Sequence, residues 1–237
     1  MIVVRAALFN VGFFGWTITM LLVCLPAMAA PATTVRRLTA LWARGVLWLA
    51  RWVVGLDYRI TGEMPDGGVI FAVKHQSAWD TIVFLACLKE PVYVLKQELM
   101  RIPLYGRYAR LAEHIAVDRA GGASALKAMV SAAKAHLDAG RPVVIFPQGT
   151  RVVPGSTAPY HPGIYALAKE TGARVVPIAL NSGVFWGRRA FLKTAGTITV
   201  AVLPALEPGL DRRRFMGELE QRIETATTEL EASVRQP

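Results

Sequence analysis

Cysteine and histidine are scarce in this sequence of 237 residues, which contains two cysteines and four histidines. Two cysteines do not make the disulfide framework of a small secreted domain, and so few thiols suit a reducing compartment. The spacing of the cysteines and histidines matches no zinc-binding pattern. We therefore expect neither structural disulfides nor a bound metal.

Acidic residues are also few, since 17 Asp and Glu stand against 27 Lys and Arg and give a formal net charge of +10. Such an excess indicates an anionic partner: nucleic acid, an acidic membrane surface or a phosphorylated ligand. The basic residues are scattered, without zinc-finger spacing, a basic-aromatic RNA-binding signature or a block of like charges. The sequence therefore favours an anionic membrane surface as partner and does not predict nucleic-acid binding.

Charge is missing altogether between Ala6 and Ala30. An apolar segment of this length can cross about 30 Å of hydrocarbon. A cleaved signal peptide is the alternative, because Ala27-Met28-Ala29 resembles a cleavage site, but the run is longer than the usual signal core. Residues 1–56 carry five basic groups, four of them after the run, and no acidic one. The positive-inside rule then predicts that the remaining chain lies at the cytoplasmic face of the inner membrane.

The next helical segment, residues 39–56, mixes tryptophan and arginine into an apolar pattern. These residues are Trp42, Arg44, Trp48, Arg51 and Trp52. Such a mixture suits the lipid headgroup boundary, and the alternative is an ordinary amphipathic helix packed on the domain. We expect residues 1–56 to form N-terminal membrane-anchoring helices and residues 57–237 to form one further domain.

Short strand-like runs alternate with helical ones from residue 57 onward, which is typical of α/β domains. The expected fold class is α/β, with a mixed, largely buried sheet flanked by helices and preceded by the N-terminal helical pair. The expected strands are Tyr58–Thr61, Val69–Val73, Val92–Leu95, His114–Val117, Val143–Phe146, Arg174–Leu180 and Thr197–Leu203. The expected helices are Asp80–Leu88, Ala123–Ala139, Gly163–Thr171 and Arg212–Val234.

Polar side chains follow five of these strands. They are His75, then Lys96 and Glu98, Asp118-Arg119, Gln148-Gly149-Thr150-Arg151, and Asn181-Ser182. Ligands in α/β sheets bind at the carboxyl ends of the strands. A proton acceptor, a carboxylate and several cations are therefore predicted to share one rim of the sheet.

The stretch His75-Gln76-Ser77-Ala78-Trp79-Asp80 combines a histidine suited to proton transfer with a carboxylate that can orient it. Residues five apart on a straight helix point about 140° away from each other. The two side chains therefore meet only if His75 lies on a loop and Asp80 in the first turn of a helix. The alternative is a capping box, in which Ser77 and Asp80 bind free backbone N–H groups.

Four sequence blocks, in this order, resemble those of the glycerolipid acyltransferases, and within them the 1-acyl-glycerol-3-phosphate acyltransferases. The blocks are His75-x4-Asp80, Lys96-x-Glu98-Leu99-x3-Pro103-x2-Gly106, Phe146-Pro147-Gln148-Gly149-Thr150-Arg151 and Val175-Val176-Pro177-Ile178. The chain departs from the family pattern at two positions. Lys74 stands where the family often has Asn, and Gln148 stands where it usually has Glu. Gln148 can hold a hydroxyl but cannot act as an anionic base.

The resemblance implies acyl transfer from acyl-CoA or acyl carrier protein, without a cofactor, to the 2-hydroxyl of a membrane lipid acceptor, 1-acyl-glycerol-3-phosphate. It also implies that His75 is the general base, that Asp80 orients it, and that Arg151 binds the acceptor phosphate. The further substrate-binding candidates are Gly149, Thr150, Gln148, Lys96 and Ser77. Lys96 is as readily a plain surface lysine, and Ser77 as readily a capping residue.

Three other functions remain open at this point. Gln148 allows another acceptor, either a lysophospholipid or a lyso-aminolipid. A lipid hydrolase could use the same histidine and carboxylate with water as the nucleophile. A non-catalytic lipid-binding membrane protein could keep the fold without the reaction.

Overall fold

A computed structural model describes residues 1–235 of the chain, and a mixed sheet runs through its centre. The strands are β1 Leu56–Thr61, β2 Ile70–Val73, β3 Val92–Lys96, β4 Ile115–Val117, β5 Val143–Ile145, β6 Val175–Leu180 and β7 Gly196–Val202. Their order across the sheet is β1-β7-β6-β2-β5-β3-β4. Neighbouring strands are parallel except β6 and β7, which are antiparallel.

Helices cover both faces of this sheet. They are α1 Ile2–Val23, α2 Ala32–Leu49, α3 Trp79–Cys87, α4 Tyr105–Leu111, α5 Gly122–Asp138, α6 Gly163–Thr171, α7 Ser182–Phe185 and α8 Arg212–Arg235. Short 3₁₀ helices occupy Leu25–Ala29 and Gln97–Arg101, and a π-helical turn occupies Ala50–Val54. The expected α/β fold with a mixed sheet is confirmed. All the strands and helices expected from residue 57 onward are present with ends shifted by at most two residues, whereas α4 and α7 were not predicted. The bounds expected for the second helix, residues 39–56, are wrong: α2 begins at Ala32, and Gly55, with φ +80°, ends the π-helical turn before β1 starts at Leu56.

Alternate residues of the central strand β2 belong to two different cores. Phe71 and Val73 pack with α1, α2 and α3 on one face of the sheet. Ile70 and Ala72 pack with α5, α6 and α8 on the other face. Successive strand side chains point to opposite faces, so a strand covered on both sides is apolar throughout. This explains why the continuous run at β2 could be recognised as a buried strand.

The two N-terminal helices run antiparallel and share the first of these cores. Phe9 of α1 and Val46 of α2 are fully buried in it. The opposite side of α1 carries exposed apolar side chains, including Val11, Phe14 and Ile18. In the described part of the chain α1 is the one helix long and apolar enough to cross a membrane, with 22 residues and a mean hydropathy of 1.8. The boundary expected after residue 56 stays a prediction, and β1 begins at Leu56.

Candidate active site

His75 and Asp80 meet at the carboxyl end of β2. His75 lies on the loop after the strand, Asp80 lies in the first turn of α3, and the His75 Nδ1 atom is 3.0 Å from Asp80 Oδ2. This is the arrangement that their five-residue spacing required. Both residues are buried, and the Asp80 side chain has no exposed surface. The catalytic role of the pair stays a prediction.

Asp80 binds four donors with its two carboxylate oxygens. Oδ2 accepts from the backbone N–H of Gln76 at 2.7 Å and of Ser77 at 2.8 Å, besides the His75 ring. Oδ1 accepts from the Ser182 hydroxyl at 2.5 Å, which ties α3 to α7. These bonds offset the cost of burying a charged group. An ionised carboxylate only accepts, so His75 Nδ1 carries the proton and Nε2 is the basic nitrogen.

The His75 ring is held in place on its other side by Phe146. The two rings stack with centroids 4.0 Å apart. Nε2 has no hydrogen-bond partner among residues 1–235, and the His75 side chain is 11% exposed. The nitrogen that could accept a proton is therefore available to a bound substrate.

Ser77 stabilises the turn at the start of α3. Its hydroxyl oxygen accepts the Trp79 backbone N–H at 3.1 Å, and its own N–H binds Asp80. Asp80 binds backbone N–H groups at the start of α3 and the His75 ring at the same time, so helix capping does not compete with its expected role in orienting His75. Ser77 is fully buried. Its expected substrate contact stays a prediction.

The third block lies directly beside the His75 loop, since the Val152 backbone N–H donates to the His75 carbonyl at 2.8 Å. Gly149 has φ +63°, and a Cβ there would lie 3.1 Å from the His161 ring and 3.2 Å from the Arg119 guanidinium. Both facts favour glycine at this position. Thr150 is exposed at the same turn. The structure thus brings Arg119 and His161 to this block; the sequence indicated no site role for His161.

Arg151 is half-buried close to Asp80. Burial lowers the pKa of Arg151, the positive charges of Arg188 and Arg189 lower it further, and the Asp80 carboxylate opposes them. A guanidinium stays charged in proteins nonetheless. Among residues 1–235 no carboxylate lies within 4 Å of Arg151. An unpaired, partly buried cation is suited to an anionic ligand.

Both the carbonyl oxygen and the NH₂ group of the Gln148 side chain bind other groups of the protein. Its carbonyl oxygen lies 3.4 Å from the His75 backbone nitrogen, and its NH₂ donates to Glu224 at 3.2 Å. Lys96, in contrast, forms an exposed ion pair with Glu98 at 2.7 Å. No hydrogen bond joins Lys96 to the His75 cluster in the described residues. Substrate contacts of Gln148 and Lys96 stay predictions.

Four residues at the site were given no site role by the sequence, and two of them lie on α8: Gln76, Tyr160, Glu224 and Glu231. Lys74 was noted only as a departure from the family pattern, whereas Ser182 was expected at this rim and donates its hydroxyl to Asp80. Burial and a hydrogen bond to Glu224 raise the pKa of Tyr160 above its usual range, so its hydroxyl remains a donor. One signal was available. The buried stripe Phe215, Leu219 and Ile223 continues at the same spacing with Thr227 and Glu231, which are polar.

Comparison with known proteins adds independent information. The sequence pattern of the acyltransferase family matches residues 53–181. A 1-acyl-sn-glycerol-3-phosphate acyltransferase of Pseudomonas aeruginosa is 37% identical over 196 residues, which are 81% of this chain and 76% of the relative. A lyso-ornithine lipid O-acyltransferase of the same organism is 31% identical over 154 residues, which are 64% of this chain and 57% of that relative.

Solved structures share this fold, and one example matches over nearly the whole length of the chain. The crystal structure of the 1-acyl-sn-glycerophosphate (LPA) acyltransferase from Thermotoga maritima matches with a TM-score of 0.76, covering 98% of each chain. The two sequences are 18% identical, so this similarity shows the fold alone.

Proposed function

The chain belongs to the acyltransferase family, and from this premise we propose that it moves a fatty acyl group from an acyl thioester to the 2-hydroxyl of 1-acyl-glycerol-3-phosphate, giving phosphatidic acid. The observation that carries the proposal is the buried His75–Asp80 pair, with Arg151 on the adjoining segment and no carboxylate within 4 Å of it among residues 1–235. A relative at 37% identity bears the name of this activity.

The reaction is proposed as a single displacement. His75 Nε2 takes the proton of the acceptor hydroxyl while its oxygen attacks the thioester carbonyl carbon. The C–O bond forms, the C–S bond breaks, and the imidazolium returns the proton to the departing thiolate. Asp80 stabilises the charged ring. The acceptor hydroxyl is itself the nucleophile, so the proposal needs no acyl-enzyme. A positioned base contributes about 10²- to 10⁴-fold.

Arg151 is proposed to bind the acceptor phosphate. A guanidinium offers a planar pair of donors that matches phosphate oxygens. Gly149 lets the backbone approach the ligand closely, and the Thr150 hydroxyl is exposed at the same turn. Lys96 is proposed to add charge towards the phosphate or the thioester donor. Gln148 is proposed to contribute through the His75 loop, which its carbonyl oxygen contacts.

The N-terminal helices are proposed to seat the domain on the cytoplasmic face of the inner membrane. Exposed apolar residues of α1 and the exposed Trp48 and Trp52 supply an apolar surface. Exposed arginines on the same helical pair, Arg44 and Arg51, suit anionic headgroups. Acyl-CoA and acyl carrier protein are both anionic, and either is a possible donor beside such a basic chain.

A second candidate acceptor is a lyso-aminolipid without a phosphomonoester. A relative that is 31% identical bears the name lyso-ornithine lipid O-acyltransferase. Gln148, which replaces the usual carboxylate of the family, is the observation in this chain that favours it.

The test measures thiol release and lipid product with palmitoyl-CoA or palmitoyl carrier protein, with and without lysophosphatidic acid or lyso-ornithine lipid. We expect release that depends on lysophosphatidic acid and yields phosphatidic acid. Arg151→Ala should raise the KM for lysophosphatidic acid about 10- to 100-fold, the loss of one charge-assisted contact. Its KM for the acyl donor should stay unchanged.

The other outcomes contradict the proposal in different ways. Product formation with lyso-ornithine lipid alone selects the second acceptor. Free fatty acid without acceptor indicates a hydrolase. Bound lipid without turnover of either donor indicates a non-catalytic lipid-binding protein.

A further inference from the structure

Helix α8 places two carboxylates on either side of the catalytic histidine. Glu224 and Glu231 lie close to two turns apart and therefore share one face of the helix. Glu224 contacts Lys74, the residue before His75, and Glu231 contacts Gln76, the residue after it. The chain separation is 150 residues in the first contact and 155 in the second.

The Glu224 carboxylate accepts hydrogen bonds from three side chains. Lys74 Nζ lies 2.7 Å from Oε1 and 2.6 Å from Oε2, and the Lys74 side chain is 1% exposed. Gln148 donates to Oε1 at 3.2 Å, and the Tyr160 hydroxyl donates to it at 2.7 Å. Breaking a buried ion pair leaves an uncompensated charge. Because Gln148 reaches the His75 backbone with its other end, Glu224 restrains the His75 loop at two points.

Glu231 makes a similar link after the histidine. It accepts from Gln76 Nε2 at 2.6 Å and from the Gly155 N–H at 2.8 Å. The Gln76 carbonyl oxygen accepts the Gly183 N–H at 3.1 Å, and the Gln76 N–H binds Asp80 at 2.7 Å. Glu231 therefore joins α8 to the loop that follows β5, to α7 and to the Asp80 carboxylate.

We propose that Glu224 and Glu231 are positioning residues for His75, and that Glu224 supplies from α8 the carboxylate that Gln148 lacks. The two departures from the family pattern, Lys74 and Gln148, both bind this one carboxylate. Stability alone would need only the apolar stripe of α8, whereas these polar contacts converge on the residues flanking His75. The inference rests on the proposed function, because it assigns a role in the same reaction.

The deciding experiment exchanges the amide and the carboxylate. Glu224→Gln, Gln148→Glu and the double variant are compared in steady-state transfer. The single Glu224→Gln change should lower kcat about tenfold or more while the donor and acceptor KM values stay within about twofold, as for a displaced base. The double variant should recover most of kcat, because it returns one carboxylate to the same cluster. Gln148→Glu alone should be impaired, since two carboxylates then face one lysine.

Glu229→Gln is the matched control, because Glu229 is an exposed residue of α8 that makes no hydrogen bond within the described chain. It should keep kcat and the melting temperature. A folded Glu224→Gln protein with wild-type kcat overturns the proposal. So does a double variant that regains the melting temperature without regaining kcat. If Glu224→Gln does not fold, Glu224→Asp keeps the charge with a shorter side chain, and wild-type kcat there also overturns the proposal.

Hydrogen–deuterium exchange tests the positioning role of Glu224 and Glu231 without relying on transfer activity. Backbone amides of residues 74–80 should exchange faster in Glu224→Gln and in Glu231→Ala than in Glu229→Gln. Absence of transfer by the wild-type enzyme refutes the proposed function without affecting this readout. Unchanged exchange in both variants refutes the positioning role even where wild-type transfer is intact.

Discussion

At the scale of single residues, His75 and Asp80 differ in how much of the fold depends on them. The His75 side chain makes one hydrogen bond and one ring stack. Asp80 instead holds two backbone N–H groups and the Ser182 hydroxyl as well as the ring. The proposed proton transfer by His75 can therefore be removed with little effect on folding. The carboxylate oxygens of Asp80, in contrast, bind both the His75 ring and donors that stabilise the fold. We therefore expect alanine at His75 to leave the fold intact and alanine at Asp80 to destabilise it.

Substitution of each residue should show that difference. His75→Ala should lower kcat about 10²- to 10⁴-fold with a melting temperature close to wild type. Asp80→Asn should lower kcat and also destabilise the protein by about 1–3 kcal/mol, because amide nitrogen cannot accept from the buried donors. Turnover and thermal unfolding, measured on the same preparations, check both. Substantial turnover by folded His75→Ala would remove the general base from the mechanism.

Residues of the site could be predicted where their signal is local. His75, Asp80 and Arg151 follow strand ends, and their spacing along the chain already restricts their geometry. Glu224 and Glu231 lie on a helix rich in charged residues and act across more than 140 residues of sequence. Glu231 continues the apolar stripe of α8, but nothing in a single sequence distinguishes Glu224 from the solvated acids around it.

At the scale of elements, α4 shows what Gly106 of the second block does in the fold. A Cβ on Gly106 would lie 2.1 Å from the Met100 carbonyl oxygen in the preceding 3₁₀ helix. The backbone of the first turn of α4 therefore packs directly on that helix, as only glycine allows. The sequence analysis quoted Gly106 without predicting the helix that needs it.

Gly106→Ala should therefore destabilise the protein by about 1–3 kcal/mol, the usual cost of overpacking. Gly217→Ala is the matched control, because a Cβ there meets no atom within 4 Å and the residue is exposed on α8. That change should stabilise by about 0.5–1 kcal/mol, since alanine favours helix. Denaturant unfolding compares the two. Equal stability of Gly106→Ala and wild type would refute the close contact.

Element types could be predicted from the sequence, but their arrangement could not. The strands were visible as short strand-like runs, apolar at β2, β5 and β6, and α5 and α8 as long helical patterns. The sheet order and the antiparallel pairing of β6 with β7 depend on contacts between distant segments, which periodicity does not encode. Short helices such as α7 contain too few turns to show a period.

At the scale of the whole molecule, the N-terminal helices and the site belong to one packed unit. Phe9 of α1 packs edge-on against Trp186, which follows α7, with ring centroids 5.1 Å apart. Arg5 donates to the Val53 carbonyl near one end of α1, and Tyr108 donates to the Leu21 carbonyl near the other. A helix that contacts the domain along its length keeps only its outer face for lipid. The proposed membrane seating would therefore fix the orientation of the site as well as its location.

This arrangement predicts that membrane binding and catalysis can be separated. Val11→Asp/Ile18→Asp changes two exposed residues of α1 and should weaken binding to anionic vesicles about tenfold or more, because charge replaces apolar area that the proposed contact buries in lipid. Turnover of a dispersed short-chain acceptor should remain within about twofold of wild type, because the reacting groups are untouched. Thr225→Asp/Thr228→Asp, on exposed positions of α8, is the matched control and should bind vesicles normally. Vesicle flotation and thiol release measure the two effects. Normal flotation of a folded α1 variant would exclude this face from the membrane contact, and loss of turnover on the dispersed acceptor would show that α1 shapes the site directly.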